Sequence, residues 1–597
     1  MTLVPDFLAK GRESVRLFLA GAPSVRDLLA SRHSEFESAH VVVPSTAVVG
    51  ESASLTVQAW DRYERLVADP AERFVVESTD PAATLPDALE LDGNPVVRAR
   101  GVEFATPGVH YVTLRRRGTD EAFVSNPVRV HESAPDHRVY WGDLHFHSRL
   151  SDGVGSVEKG FRFAREVMAL DVVACTDHDT MGFFIPPALQ LRQMRRRYVD
   201  RTKAAVEDHH DPGEFVTLFG YEWTKQPTVG GHVNVYFESV DSARLFDSRS
   251  PESDTYEGLW DSLRAWREET GDRVLTIPHH PAEALYPFDF DATDYDDELA
   301  PLVEVYSQWG SSELRGADGN PKPIGGIGSG EVDEPGHYVQ DALAMGNRVG
   351  MMAASDIHGP YPGHSHIHVP PHLPRLSEWL GDGVGWGLIW RVWNERSYPG
   401  GLTAFYAPEL SREAVFDSLD RRAVYGTTQP RRILVSFAVD GLRLRDARSV
   451  VAADGPEADR RVELSVAGTA PLDRVEVVKN NDVWRVAEGV AADSRAAAAT
   501  ADGGTGATSS DADSGTTIPA EVGEPGRFGP PSRYAPSGDP DFDAYTLEAT
   551  FVDTEPVTGL SWDGDRGTDD DHYYLRVRQT DGGMAWAGPI WASAGDD

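Results

Sequence analysis

Cysteine and long apolar runs are almost absent from this sequence. Its 597 residues include one cysteine, so no disulfide bond can form within the chain. No uninterrupted apolar run approaches the roughly 18 residues that a membrane-spanning helix needs. The N-terminal segment carries charges throughout, unlike a secretory signal peptide. The sequence therefore predicts a soluble, cytoplasmic protein with no membrane partner.

Lysine is also scarce, although the chain is strongly charged. Only six of the 56 basic residues are lysine, and 95 Asp and Glu residues give a net charge of −39. In molar salt, where the Debye length is about 3 Å, such a charge hardly repels itself, whereas in dilute buffer it destabilises the compact state. We therefore expect a halophilic protein; an ordinary acidic protein from a GC-rich genome is the alternative. A body this negative is a poor general binder of nucleic acid.

Apolar residues are abundant enough to form several cores. They make up 40% of the chain, which excludes a wholly disordered protein, and the length corresponds to about three or four domains. Residues 1–135 predict a short N-terminal helix followed by a β-sandwich-like domain. Short segments there, such as residues 55–59, alternate apolar and polar side chains between Pro and Gly residues.

Residues 136–430 have a different pattern, in which apolar strands alternate with helical stretches. The strand segments are VVACTD, FVTLFGYEW, RVLTIPHH, LVEVYS and GMMAASD. Residues 156–169 place five apolar side chains on one helical face, with Ser156 as the predicted N-cap. These five are Val157, Phe161, Ala164, Val167 and Met168. Such an alternation predicts an α/β layer or barrel.

Residues 431–597 return to strands and form a predicted C-terminal β-rich domain. Its strand segments include RILVSFAVD, RRVELSVAG, DRVEVVKN and HYYLRVRQ. They are interrupted by residues 486–538, whose Ala, Gly, Ser, Thr and Asp content predicts a disordered insertion.

Histidine and carboxylate residues recur where the predicted central strands end. In WGDLHFHSRLSDG, His145 and His147 are two residues apart and face the same way on a strand, although an HxH pair alone is weak evidence. The pattern continues in TDHD, GYEW, GGH, IPHHP and SDIHG. Such repetition at strand ends is typical of an active site at one face of a barrel. Neutral imidazole and carboxylate together bind Zn, Mn or Fe, so the sequence predicts a centre of divalent metal ions.

Taken in order, these motifs resemble those of the PHP (polymerase and histidinol phosphatase) superfamily of metallohydrolases. The resemblance covers about residues 138–430 and implies a distorted seven-stranded βα barrel with two or three metal ions. In this chain the barrel would be flanked by N- and C-terminal β-sandwich-like domains. Within the superfamily, WGDLHFHS, EVYSQWGSSE, REAVFDSLDRRAVYGTT and YYLRVRQTDGGMAWAGPIW resemble an uncharacterised, domain-of-unknown-function branch. That branch brings no assigned substrate.

The resemblance implies nine metal ligands in three positions. The first position, whose residues would also be the catalytic ones, is held by His145, His147, Glu222 and Asp356. Glu222 would bridge to a second position held with His232 and His280, and His279 replaces His280 if the HHP motif is offset by one residue. The third position is held by Asp152, His178 and His358. Asp152 stands where some relatives have His, which weakens this position. The residues expected to orient the ligating imidazoles are Asp177, Asp179 and His279.

Clustered divalent ions indicate a metal-dependent hydrolase, and the resemblance implies a phosphoesterase that acts on a small phosphorylated substrate. Water that bridges two such ions loses a proton near neutral pH and attacks phosphorus in line. One alternative is an amidohydrolase-like C–N hydrolase, which also uses HxH on a barrel. Such enzymes more often carry a metal-bridging lysine in the barrel, whereas all six lysines of this chain lie outside the motifs. The other is a non-catalytic protein that binds a partner through its β-domains. The sequence gives no indication of the oligomeric state.

Four further residues near the motifs have smaller predicted roles. Arg149 and Arg315 are the nearest cations; each would either clamp an anionic ester or lie on the surface. Glu304 on a strand is placed to touch the metal shell, whereas Glu313 is expected to be a loop or helix-start carboxylate. A second histidine cluster lies in a loop rich in Pro and Gly, and we expect it to be structural. It consists of His364, His366 and His368.

Overall fold

A computed structural model gives the arrangement of most of the chain. It describes residues 34–181, 185–325, 330–364, 398–446, 458–488, 540–563 and 566–593, together with Arg375, Ser377, Gly381, Asp382, Val451 and Ala452. The predicted N-terminal helix, residues 489–538 of the predicted insertion, and His366 and His368 lie outside these residues. Among the described helices, none is long and apolar enough to cross a membrane.

Ten strands follow one another in the N-terminal part, as the short alternating segments predicted. They are β1 (Phe36–Val42), β2 (Thr46–Val48), β3 (Ser52–Asp61), β4 (Ala71–Ser78), β5 (Ala88–Asp92), β6 (Val96–Glu103), β7 (Gly108–His110), β8 (Val112–Arg116), β9 (Ala122–Val124) and β10 (Val128–His131). They form three sheets, with the orders β1-β3-β6, β2-β10-β7 and β5-β4-β8-β9.

Strand β3 shows how this part buries its apolar side chains. Leu55, Val57 and Ala59 are fully buried in one core, as their alternation predicted. Gln58 on the opposite face is buried as well. Its side-chain oxygen lies 3.0 Å from His40 Nδ1 and accepts a hydrogen bond from Trp60 Nε1. This strand is therefore covered on both faces, which alternation alone did not predict.

The central part alternates strands and helices. Its strands are β11 (Arg138–Asp143), β12 (Val172–Cys175), β13 (Val216–Thr224), β14 (His232–Phe237), β15 (Val274–His279), β16 (Leu302–Ser307), β17 (Gly310–Ser311), β18 (Gly350–Ala353), β19 (Gly401–Ala407) and β20 (Val424–Thr428). Its helices are α1 (Val157–Arg162), α2 (Pro187–Gln193), α3 (Val199–His209), α4 (Tyr256–Thr270), α5 (Val339–Ala344) and α6 (Arg412–Asp420), with π-helical turns at Phe163–Val167 and Met194–Tyr198. All five strand segments predicted for this part are confirmed.

Helix α1 is shorter than the predicted helix 156–169, although its start and its buried face agree with the prediction. Ser156 is the N-cap and accepts a hydrogen bond from the backbone N–H of Lys159. Val157, Phe161 and Ala164 are fully buried. The α-helix gives way to the π-helical turn at Phe163, a local widening that hydrophobic periodicity does not reveal.

The central strands pair in a series whose two ends meet. β11, β12 and β13 are parallel, β14 runs antiparallel between β13 and β15, and β15, β16 and β18 are parallel. Beyond the ends of β11 and β18, Phe146 forms a parallel bridge with Ile357. There the N–H of His147 donates to the Ile357 carbonyl, and the N–H of Asp356 donates to the His145 carbonyl. The residues that follow β11 and β18 therefore lie side by side.

The C-terminal part continues the central sheet. Its strands are β21 (Leu434–Val439), β22 (Leu442–Arg443), β23 (Val451–Ala452), β24 (Arg460–Ala467), β25 (Leu472–Lys479), β26 (Asp482–Glu488), β27 (Thr546–Asp553), β28 (Leu560–Ser561), β29 (Gly567–Thr568), β30 (Asp571–Gln579) and β31 (Met584–Ser593). β20 pairs with β31, which places both parts in one 15-stranded sheet. Because β26 runs to Glu488, the predicted insertion begins too early at residue 486. The described chain is a mixed α/β protein with several β-sheets.

A buried carboxylate ties the central part to the C-terminal strands. Glu313 is fully buried, and Arg576 donates hydrogen bonds to both of its oxygens. The Tyr574 hydroxyl and the Trp586 indole N–H also donate to it, at 2.6 and 2.7 Å. The loop position of Glu313 agrees with the sequence analysis, whereas its burial depends on strands β30 and β31.

Replacing Glu313 with alanine should destabilise the protein strongly. Removing one partner of a buried ion pair costs about 3–5 kcal/mol, because the other charge stays buried without its partner. The matched control is Arg315→Ala in the same loop, which breaks an exposed pair with Asp318 and should cost about 0–1 kcal/mol. Urea unfolding of both variants at one salt concentration measures the difference. Equal losses would contradict the structural role of Glu313.

Candidate metal centre

The nine predicted ligands lie at one end of the central strand series. His145 and His147 follow β11, Asp152 lies in the next loop, and His178 follows β12. Glu222 lies near the end of β13, and Asp356 and His358 follow β18. His232 begins β14 and is paired with His279, the last residue of β15. Because β14 is antiparallel to its neighbours, its first residue lies at the same end as the last residues of β13 and β15.

Ligand-type atoms of these residues form five overlapping groups, in each of which all atoms lie within 4.8 Å of one another. The groups are His145, His147 and Glu222; His145, His279 and Asp356; His178, Glu222 and His232; His232, His279 and His280; and His147, Asp152, His178 and His358. Every member is buried. The structure thus brings together all nine predicted residues, with His279 as a tenth. The distribution of these ligands over individual ions stays a prediction.

Glu222 lies at the centre of these groups. Its Oε1 atom is 2.6 Å from His279 Nε2 and 2.7 Å from His232 Nδ1. Its Oε2 atom is 2.9 Å from His178 Nδ1 and 3.3 Å from His147 Nε2. Burial alone would raise the pKa of Glu222, but the charges of the surrounding histidines hold this pKa well below its usual value. Glu222 therefore stays negatively charged in the folded protein.

His145 and His147 point their Nε2 atoms at one place. The two atoms are 3.2 Å apart, and Asp356 Oδ1 lies 2.9 Å from the His147 nitrogen. Burial, together with the neighbouring His178 and His358, lowers the pKa of His147 to about 3. The imidazole of His147 is therefore neutral, which is the form that binds metal ions.

His279 takes a more central place than His280, which the motif resemblance preferred. His279 belongs to two of the five groups, and its Nδ1 lies 3.7 Å from Asp356 Oδ2. His280 belongs to one group, with a ring centroid 5.3 Å from that of His232, and has a left-handed backbone (φ 34°). The geometry favours the offset alternative, in which His279 is the ligand.

Strand alternation could have identified His279. Side chains two residues apart face the same side of a strand. Leu275 and Ile277 of β15 are buried in one core cluster with Leu218 of β13 and Leu302 of β16. Counting every second residue along each strand from these apolar side chains reaches a polar residue that faces the same side. These residues are Glu222 in β13, His279 in β15 and Glu304 in β16. His280 has the opposite parity.

Glu304 and Asn234 contact the Nδ1 atom of His145, on the side of the ring away from the centre. His145 Nδ1 lies 3.0 Å from both Glu304 Oε2 and Asn234 Nδ2. Burial raises the pKa of Glu304 to about 7, although the charge of His145 opposes this. With Nδ1 engaged, His145 presents Nε2 to the centre, an arrangement that fixes the orientation of metal-binding histidines. Glu304 therefore reaches the centre through His145, and the sequence analysis did not identify Asn234.

Asp356 is held in an uncommon backbone conformation. Its φ is 53°, in the left-handed region that non-glycine residues rarely adopt. Trp309 Nε1 donates to its Oδ2, and Gln308 Nε2 donates to its backbone carbonyl. Backbone strain of this kind is often found at functional sites. Neither Gln308 nor Trp309 carries a sequence signal for this role.

Asp177 and Asp179 hold loops, which corrects the expectation that they orient imidazoles. Asp177 accepts hydrogen bonds from the backbone N–H of Ser148 and from the hydroxyls of Ser148 and Ser151. Asp179 accepts from the backbone N–H groups of Thr224 and Ser248. These carboxylates therefore fix the loops around the ligands.

Three other residues singled out in the sequence lie outside the five groups. The His364 ring stacks on Trp60 of β3 with 4.1 Å between ring centroids, in agreement with a structural role. Arg315 pairs with Asp318 on the surface. Arg149 is exposed on the loop between His147 and Asp152.

The residues of the centre fit divalent metal ions. The Nε2 atoms of His178 and His232 are buried and have no hydrogen-bond partner among the described residues. Buried polar atoms are rarely left unpaired in folded proteins. Imidazole nitrogens combined with carboxylate oxygens form a ligand set for Zn, Mn or Fe. These side chains could therefore hold metal ions.

Part of this mixed α/β chain is similar to a described protein family. Residues 162–300 and 347–456 match the model of the family described as "Protein of unknown function (DUF3604)".

The relatives that match most of this chain are distant in sequence. An uncharacterized protein of Chlamydia trachomatis is 22% identical over 94% of this chain and 74% of its own length. One of Chlamydia pneumoniae is 24% identical with the same coverage. Among solved structures, a two-domain protein from Bacteroides vulgatus is described as containing a predicted PHP-like metal-dependent phosphoesterase. It is 16% identical, covers 58% of this chain and 81% of its own, and has a TM-score of 0.29.

Proposed function

We propose that this protein is a metal-dependent hydrolase, specifically a phosphoesterase that activates water at a centre of two or three divalent metal ions. The observation that carries the proposal is the position of Glu222. This one buried carboxylate lies within 3.5 Å of five imidazoles, as expected of a side chain that bridges two ions. His145, His147, Glu222 and Asp356 are the proposed catalytic residues.

The strand arrangement is consistent with the distorted seven-stranded barrel of the PHP superfamily. β11 to β16 and β18 make seven strands, and the bridge between Phe146 and Ile357 joins the ends of the series. In barrels of this kind, catalytic side chains come from several strand ends at one face. The proposed ligands come from six such places, in the order of the PHP motifs.

The chain's own residues supply charge and orientation for the reaction. Divalent ions held here would lower the pKa of a bound water and neutralise the charge that develops on phosphoryl oxygens. Asp152, Glu222 and Asp356 provide three buried carboxylates, each with a pKa held below its usual value by neighbouring histidines despite burial. Glu304 orients His145, and Trp309 orients Asp356. Bound cations would also allow an anionic ester to enter a protein of net charge −39.

Carbon–nitrogen hydrolysis has less support. Amidohydrolases that share the HxH motif more often carry a metal-bridging lysine in the barrel. Here Lys159 pairs with Asp382, Lys479 pairs with Asp553, and Lys225 donates to the Asp254 carbonyl, all away from the five groups.

Metal content and substrate range test the proposal together. Protein loaded with Mn or Zn and then desalted should retain about two or three ions per chain. In molar KCl it should hydrolyse p-nitrophenyl phosphate or bis-p-nitrophenyl phosphate and leave p-nitroacetanilide intact. Retention of less than about one ion per chain would contradict the metal centre. Hydrolysis of the anilide alone would instead favour the C–N alternative.

A further inference from the structure

Five arginines line two adjoining surface cavities next to the loop that carries Asp152. The cavities have volumes of about 620 and 640 Å³ and share Arg197. The arginines are Arg149, Arg192, Arg196, Arg197 and Arg201. Asp200 is the one acidic residue among the described residues that line them. We call these two cavities the arginine cleft.

The charge of the arginine cleft is opposite to that of the protein. The whole chain has 95 acidic and 56 basic residues, whereas the cleft has five arginines and one aspartate. Arg201 pairs with Glu158. The side chains of the other four arginines form no ion pair or hydrogen bond with any described residue. Exposed arginines without a carboxylate partner give the cleft a local positive charge, which attracts anions.

The helical part of the cleft is fixed to the strands that lead to the metal centre. Arg196 and Arg197 lie in the π-helical turn Met194–Tyr198 between α2 and α3, a feature often found at functional sites. On its inner side, the Tyr198 hydroxyl donates to the backbone carbonyls of Cys175 and Gly220, at 3.0 and 2.5 Å. These carbonyls belong to β12 and β13, which lead to His178 and Glu222.

The loop part of the cleft is fixed to the metal centre as well. Gln190 Nε2 of α2 donates to the Leu150 carbonyl at 2.9 Å and to the His178 carbonyl at 3.3 Å. Arg149 lies two residues after His147 and three before Asp152. Its Cα is therefore within about 7 Å of the first and about 11 Å of the second, the limits for an extended chain. The cleft and the centre therefore share one short loop.

We propose that the arginine cleft binds a second phosphate group of the ligand whose ester bond is hydrolysed at the metal centre. This inference rests on the proposed phosphoesterase function and identifies its substrates as compounds with at least two phosphate groups. Guanidinium groups suit this role because their planar fork forms paired hydrogen bonds with phosphate oxygens.

Binding of tripolyphosphate to the full-length chain tests the cleft without any need for turnover. Metal ions are first removed with a chelator, and tripolyphosphate binding is then measured by calorimetric titration. The titration uses the lowest salt at which the protein stays folded, because molar salt would screen exposed charges. The Arg149→Gln, Arg197→Gln double variant should weaken binding at least about tenfold, since it removes two charge-assisted contacts. The matched control is Arg195→Gln in the same π-helical turn, whose side chain bonds Asp247 and Ser250 instead. We expect it to weaken binding by less than about twofold.

A matched pair of substrates tests the link to the metal centre. For the metal-loaded wild type, KM should be lower for hexane-1,6-diol bisphosphate than for hexyl phosphate, and the double variant should lose this preference. If tripolyphosphate does not bind, or if Arg195→Gln weakens its binding as much as the double variant does, the proposal that the arginine cleft binds phosphate is wrong. If the chelated chain binds tripolyphosphate but no phosphoester is hydrolysed, the phosphate site stands and the proposed function fails. Circular dichroism of all three proteins checks that they are folded.

Discussion

Replacing Glu222 with glutamine is expected to abolish hydrolysis. Altering a residue behind a metal ligand already costs about 10–100-fold in metal affinity or activity, and Glu222 contacts the ligating imidazoles directly. An amide has no negative charge, and its NH₂ group cannot accept a hydrogen bond or bind a cation. The variant should lose at least one ion per chain and well over about a hundredfold in kcat. Elemental analysis and steady-state kinetics measure the two effects.

Two further variants separate the role of Glu222 from the general effect of altering a buried carboxylate. Glu304→Gln changes a residue that reaches the centre through His145 and His279, so about 10–100-fold weaker metal binding is expected. Asp80→Asn changes a buried carboxylate of the N-terminal part, which accepts hydrogen bonds from the N–H groups of Ala105 and Thr106. It should keep the wild-type ion content and kcat. Full metal content in Glu222→Gln would show that the proposed bridging role is wrong.

The clustering of the predicted ligands was predictable because most of them follow short, strongly apolar strands. VVACTD and GMMAASD contain enough apolar residues to identify buried strands, and the polar residue after each marks the strand end. Ends of parallel strands meet at one edge, so His178 and Asp356 were expected to lie close together. The structure places both residues in the same buried centre, in different groups. Motif order added the predicted ligand roles, and strand alternation favours His279 at the one ambiguous position.

The partners of the ligands were not predictable, because they come from distant and irregular segments. Trp309, which donates to Asp356, lies between two strands where no periodicity fixes its direction. The serines that donate hydrogen bonds to Asp177 belong to a loop, and these same hydrogen bonds fix the conformation of that loop. Glu313 is buried by β30 and β31, more than 250 residues away in sequence, as its separation of 263 residues from Arg576 shows. Such long-range pairings leave no local pattern.

The folded protein should melt at a lower temperature when its metal ions are removed, and the difference should be largest at low salt. Asp152, Glu222 and Asp356 are buried within one centre, and cations that bind only the folded state stabilise it by mass action. Binding at a thousand times Kd contributes about 4 kcal/mol, which corresponds to a shift in melting temperature of about 3–6 °C for an unfolding unit of about 300–600 residues. Low salt adds to this, because the charge of −39 is then least screened.

Thermal melting in four conditions separates these two contributions. Metal-loaded and chelated protein are compared in dilute buffer and in molar KCl. Salt should raise both melting temperatures, since screening weakens repulsion between the many surface carboxylates. Chelation should lower them, and more in dilute buffer. The His145→Ala, His147→Ala double variant is the control: it lacks two ligands of the centre, so chelation should shift its melting temperature much less. Equal melting temperatures in all four conditions would contradict both the halophilic interpretation of the charge and the stabilising role of the metal ions.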